Sequence, residues 1–188
     1  MVAAGAPVGS SDHPSGVAAA ELAASGFDIT ALLVGVAEGL RALHATSAAG
    51  CPFDAGPGAL VDLARERIDL GLVGSVQFDP PYRRYSPSAL LDLVERGRPA
   101  DLDAADLTIV HGDAGFDRVW LDAGQVTGWT SVGRSGIGDP YRDLATMAVD
   151  LAQRVTPEAL GPFIYAYGLD HPDVVRLDWH VLLDQLLR

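Results

Sequence analysis

The stretch His111-Gly112-Asp113-Ala114-Gly115-Phe116-Asp117-Arg118-Val119-Trp120-Leu121-Asp122-Ala123-Gly124-Gln125-Val126-Thr127-Gly128-Trp129-Thr130-Ser131-Val132-Gly133-Arg134 breaks the helical period of the chain around it. Val119–Leu121 and Val126–Trp129 are short runs of strand-forming residues. They flank Asp122-Ala123-Gly124, whose glycine tolerates the positive φ of a tight turn, so the segment reads as a hairpin. Leu107–Val110, just upstream, reads as a further short strand. Between them, an Asp after His-Gly on a loop is either a positioned carboxylate or a residue that caps a turn. The segment alone does not choose between the two.

Outward from the hairpin the pattern becomes helical on both sides. Upstream, Asp28 or Thr30 caps a helix that carries Leu33, Val36, Leu40 and Leu43 at helical spacing and ends near His44. Gly50–Gly58 is loop. A second helix is predicted over about 59–70, with Leu60, Leu63 and Ala64 inward, and Asp79–Tyr85 is again loop. Ser86 caps a third helix, with Pro87 at its first position and Gly97 just past its end. Downstream, helices are predicted from Tyr141 to Arg154, from Thr156-Pro157 to Tyr167, and from His171-Pro172 to Leu187. The expected fold is α+β and mainly helical, with a small central β-hairpin. Residues 1–27, rich in Ala, Gly and Ser, read as a tail with one short helix near Val17–Ala24. Residues 28–188 read as one domain.

Charge and composition exclude several function classes. Lys plus Arg number 13 against 25 acidic residues, a formal net charge of −12. With no basic stripe to release counterions, a nucleic-acid partner is not expected. The chain contains no Lys and no Asn, and every basic residue is Arg. A mechanism that draws a lysine amine or an asparagine amide from this chain is therefore excluded. Ala31–Gly35 and its neighbours form the longest apolar run, far too short to span a bilayer. Met1–Pro14 has neither a basic segment nor a continuous apolar core, so it does not read as a secretory signal. Cys51 is single and cannot form an internal disulfide. The expectation is a cytoplasmic protein with no membrane partner. His44, His171 and His180 are scattered without metal-ligand spacing.

The central stretch resembles the catalytic region of the aminoglycoside phosphotransferases, particularly those that act at a 3′-hydroxyl. Their pattern is His-Gly-Asp, four residues, Asn, a hairpin, and an Asp shortly before Gly-Arg. The resemblance continues in Leu40-Arg41-Ala42-Leu43-His44 followed by Cys51-Pro52-Phe53-Asp54, and in Gly138-Asp139-Pro140-Tyr141-Arg142-Asp143-Leu144-Ala145. It extends to Ala166-Tyr167-Gly168-Leu169-Asp170 and Leu182-Leu183-Asp184-Gln185, and covers about residues 28–188. It implies the carboxy-terminal lobe of a kinase-like fold. The amino-terminal lobe is expected to be absent, because residues 1–27 are too few to build it. The chemistry it implies is ATP-dependent transfer to a sugar hydroxyl. That needs a carboxylate at the acceptor, two groups on Mg²⁺ and a lysine on the nucleotide phosphates.

The resemblance puts Asp113 at the base position. Arg118 stands where the family keeps a metal-binding Asn, and Ser131 where it keeps a metal-binding Asp. A guanidinium has no lone pair to give a cation and brings a charge of the wrong sign. The phosphate lysine has no counterpart. The implied protein is a degenerate lobe that uses neither ATP nor Mg²⁺ and serves as a binding or regulatory module. The alternative is an active phosphotransferase, or another enzyme with Asp113 as general base, completed by another subunit and using ATP and Mg²⁺. The resemblance also implies that Asp143 ties the catalytic loop together and that His111 hydrogen-bonds nearby backbone. Arg134, from the family's Gly-Arg, is expected to pair with Asp113 or contact a ligand phosphate. The family's acidic terminus appears as Asp184-Gln185-Leu186-Leu187-Arg188, leaving Asp184 as a ligand contact for an unidentified small molecule. Without the other lobe, Phe116, Trp120 and Trp129 would be exposed. A homodimer, a protein partner or the tail itself is expected to cover them.

Overall fold

The computed structural model describes residues 14–99 and 106–188; residues 1–13, the start of the predicted tail, lie outside the described residues. Short strand β1 (Val17–Ala18) leads directly into helix α1 (Ala19–Ser25). Gly26, at φ 82°, stops that helix in the left-handed conformation that glycine adopts without strain. Helix α2 (Ile29–His44) starts at Asp28, whose carboxylate accepts the N–H groups of Thr30 and Ala31. Strand β2 (Asp54–Ala55) and helix α3 (Pro57–Asp69) follow. Helix α4 (Pro87–Arg96) is capped by the Ser86 hydroxyl and carries Pro87 in its first turn.

The middle of the chain supplies strands β3 (Thr108–Val110), β4 (Val119–Asp122), β5 (Gln125–Trp129) and β6 (Gly136–Gly138). These make two three-stranded sheets, ordered β1-β4-β5 and β2-β6-β3. The β4–β5 hairpin closes on Ala123-Gly124, both at positive φ (48° and 81°). Three helices close the chain: α5 (Tyr141–Arg154), α6 (Leu160–Tyr167) and α7 (Val174–Leu187).

Two buried clusters meet along α7. The larger joins Leu32, Leu33, Val36 and Leu40 of α2 to Leu144, Met147 and Leu151 of α5, with Phe116, Val119 and Leu121 from the central segment. Burying each such Leu, Met or Phe side chain contributes about 1.5–3 kcal/mol. The smaller packs α3 and α4 against Trp179, Leu183 and Leu186 of α7, and the Trp179 indole donates to the Val94 carbonyl at 2.8 Å. The close packing depends on two small residues of α2, Gly35 and Gly39. A Cβ on Gly35 of α2 would lie 2.1 Å from the Gly124 carbonyl oxygen at the hairpin turn. No helix among the described residues is long and apolar enough to cross a membrane.

The helices and the hairpin occupy the expected places, with differences that have physical causes. Leu63 faces out (44% exposed) while Val61 faces in, because α3 begins at Pro57 and presents Leu60, Val61 and Ala64 to the smaller core. The last helix starts at Asp173, whose carboxylate accepts the Arg176 N–H, not at His171-Pro172. Strands β2 and β6 fall within stretches that read as loop, because two or three residues carry no period of their own. Phe116 is fully buried, so it is a core residue and not part of an exposed face. Residues 17–19 lie against the hairpin: Val17 pairs with Leu121 and Ala18 with Trp120, and Ala19 is fully buried.

Candidate functional site

The loop that carries Asp113 runs from the end of β3 to the start of β4, and its shape is set from beneath by Asp143. This fully buried carboxylate in the first turn of α5 accepts the backbone N–H of His111 at 2.6 Å and that of Gly112 at 2.7 Å. It also accepts Nε2–H of His44 at 3.1 Å, and His44 Nδ1 then accepts the Tyr167 hydroxyl at 2.6 Å. The Tyr167 hydroxyl is pushed up to about 12, by burial first and then by the charge of Asp143. A buried carboxylate is tolerable because its oxygens are occupied by charge-assisted donors.

Two further contacts fix the loop from the other side. His111 Nε2–H donates to the Thr130 carbonyl at 2.9 Å, which leaves Nδ1 to accept the Asp113 N–H at 3.2 Å. Gly112 has a φ of 82°, and a Cβ there would sit 2.3 Å from the Arg134 carbonyl oxygen. Only glycine allows that crossing of the two loops. Asp113 therefore sits at a rigid position, with its side chain 36% exposed.

The immediate partner of Asp113 is Arg118. Its Nε lies 3.5 Å from Oδ2 of Asp113, and Nε is buried with no hydrogen-bond partner, so the carboxylate is what compensates it. Asp113 opens on a cleft of about 310 Å³ that Asp150, Asp184, Arg134 and Arg188 also line. Arg134 does not pair with Asp113; its Nη2 donates to the Leu187 carbonyl at 2.8 Å and anchors the end of α7.

The phosphotransferase enzyme family model matches residues 15–179. The chain belongs to that family. It is 30% identical over 146 residues to an aminoglycoside 3'-phosphotransferase of Escherichia coli, covering 78% of this chain and 52% of the relative. It is 32% identical over 160 residues to the streptomycin 3''-kinase of Streptomyces griseus, covering 80% and 58%. The chain thus spans about half the length of the curated relatives it matches. Among solved structures, an aminoglycoside-3'-phosphotransferase of type VIII superposes with a TM-score of 0.80 at 31% identity, over 93% of this chain and 67% of that one. An aminoglycoside phosphotransferase of Streptomyces rimosus, solved with ADP and streptomycin, gives a TM-score of 0.80 at 27% identity. The fold is the kinase-like one of these phosphotransferases, in a mainly helical α+β form.

Against the phosphotransferase pattern, Asp113, His111 and Asp143 converge on one loop, and Arg118 joins them. Ser131 lies apart in its interactions: it is exposed, at φ 62°, and opens the turn Val132–Arg134. Asp117, next to the Arg118 position, is drawn away by Arg154. At the terminus, Asp184 pairs with Arg188 at 2.7 Å, and Arg188 also meets Asp79 at 2.8 Å. Burial alone would raise the Asp79 carboxyl, yet the hydrogen bonds from Arg188 and Gln185 hold it below the usual range. Gln185 is buried and bonds Asp79 through both ends of its amide, which gives the amide at this position a packing role.

The donor set does not fit a magnesium ion. A guanidinium occupies the space beside Asp113, and Ser131 offers a neutral hydroxyl. Among the described residues no three His, Cys, Asp or Glu side chains lie close enough together to hold a metal. Two residues escaped sequence reasoning. His44 touches Asp143 across 99 positions, and Arg142 hides inside a motif that reads as a helix entry. A pattern of neighbours along the chain carries neither signal.

Proposed function

We propose that this chain is a non-catalytic phosphotransferase lobe that binds a ligand without transferring phosphate. The observation that carries the reading is the contact between Arg118 and Asp113 at 3.5 Å. A phosphoryl-transfer site holds its base free for the acceptor hydroxyl and gathers divalent cations beside the transferring group. Here the position beside the base holds a fixed cation that cannot bridge phosphate oxygens to a carboxylate. Losing metal assistance removes several kcal/mol of transition-state stabilisation, and about 4 kcal/mol is already roughly a thousandfold in rate. The loop beneath keeps its shape through Asp143 because a binding surface needs that shape as much as a catalyst does.

A second reading is favoured by the same loop. Asp113 remains on a rigid, partly exposed loop at the mouth of a cleft, which suits a general base in an enzyme completed by another subunit. A coupled ATP-consumption assay with kanamycin and Mg²⁺, run on the chain alone and together with proteins that co-purify with it, separates the two. The first reading predicts no turnover above background; turnover abolished by Asp113→Ala would establish the second.

A further inference from the structure

We infer that Arg142 and Arg134 form an anion site that takes a small phosphate monoester with an apolar body. This inference stands apart from the catalytic status of Asp113. Both arginines line a cavity of about 340 Å³, which Phe53, Leu60 and Leu63 also line. Arg142 is 9% exposed, yet of its guanidinium N–H groups only Nη1 finds an acceptor, the Arg134 carbonyl at 3.4 Å. Arg134 in turn donates to a carbonyl, that of Leu187. Arg65, Arg118, Arg154, Arg176 and Arg188 find carboxylates within ion-pair distance, whereas Arg142, the one arginine among the described residues that is buried, has none.

A buried guanidinium without a carboxylate is costly, and Arg142 is buried while its neighbour Arg134 is exposed. Burial pulls the Arg142 guanidinium below its ordinary range; the charge of Asp143 opposes this, that of Arg134 adds to it, and those of Asp184 and Asp113 oppose it more weakly. Asp54 is the one carboxylate on the cavity wall, and its Oδ1 is engaged by the Gly56 N–H at 2.8 Å. The cavity wall carries two arginines and one carboxylate, and a bound anion would supply the acceptors that Arg142 lacks. Arginine forks match the oxygens of a phosphate better than those of a halide or a single carbonyl. The cavity is larger than phosphate alone, and Phe53, 65% exposed on its rim, offers a face for an apolar or aromatic body. Because Arg134 also lines the Asp113 cleft, the two cavities share one side chain.

Calorimetry and melting curves with phenyl phosphate and with inorganic phosphate test this on the full chain. Both anions should bind. Arg142→Gln should weaken both by at least about tenfold, the worth of one charge-assisted hydrogen bond. Phe53→Ala, a change at an exposed side chain, should weaken phenyl phosphate while leaving inorganic phosphate unchanged, and it keeps the test valid if Arg142→Gln does not fold. Arg118→Gln should leave both anions unaffected. The inference is overturned if phenyl phosphate fails to bind at millimolar concentration. It is equally overturned if Phe53→Ala changes nothing, or if binding survives Arg142→Gln and is lost in Arg118→Gln.

Discussion

The Nε of Arg118 lies 3.5 Å from Oδ2 of Asp113, so the retained carboxylate of the loop already has a cationic neighbour from its own chain. Both side chains are more than a third exposed, and such a pair adds at most about 1 kcal/mol to stability. Its consequence is occupancy and charge, not fold. Removing Arg118 should therefore leave the melting temperature nearly unchanged, which circular dichroism of Arg118→Asn checks.

Asp143 is the opposite case. Its carboxylate holds two backbone N–H groups and His44 in a fully buried setting. Asp143→Ala leaves those donors without an acceptor and should cost roughly 3 kcal/mol. For a chain of this size that is about 6–12 °C in melting temperature. A fall of less than 2 °C would mean that the loop is held by other contacts.

Stability at the extremes of pH follows from one buried and one half-buried group. Asp139 is fully buried; burial opposes its ionisation, but hydrogen bonds from His180 and Arg176 outweigh it and hold the carboxyl below 3.8. A folded value below the unfolded one gives stability that is full above the unfolded value and lost as pH falls through the folded one. Tyr167 is raised to about 12, so its contribution is full below 10 and lost as pH rises toward 12. Melting curves from pH 2 to 6 should be shallower for Asp139→Asn than for the native chain. Between pH 10 and 12, Tyr167→Phe should decline less steeply than the native chain. Parallel curves would refute both assignments.

Ala123 holds φ 48° in the hairpin turn, a conformation that costs an L-residue roughly 1 kcal/mol and that Asn accepts more readily. Ala123→Asn should raise the melting temperature by about 2–4 °C. A decrease would show that the turn relaxes in solution to another type.

The helices were legible because their apolar spacing and caps are local: Asp28, Ser86 and Pro87 sit where the sequence puts them. The hairpin was legible from Ala123-Gly124 and its flanks. Strands β1, β2 and β6 were not, since each gains its identity only from a partner far along the chain. The candidate site divides the same way. Asp113 and its neighbours share one motif, whereas His44, Tyr167 and Arg176 act across distances that no local pattern encodes. Arg134 looked like a partner for Asp113 because both are charged and near in sequence, yet the end of α7 captures it.

We propose that Arg118 and Ser131 deny this loop a magnesium ion. Melting curves with and without Mg²⁺, for the native chain and for the variant Arg118→Asn with Ser131→Asp, test it most directly. The native chain should show no Mg²⁺-dependent shift beyond that of Asp113→Ala. The double variant should gain a rise of about 3–6 °C when Mg²⁺ exceeds its dissociation constant tenfold. A native chain that rises as much as the double variant, or a double variant that does not rise at all, would show that Arg118 and Ser131 do not keep magnesium from the loop.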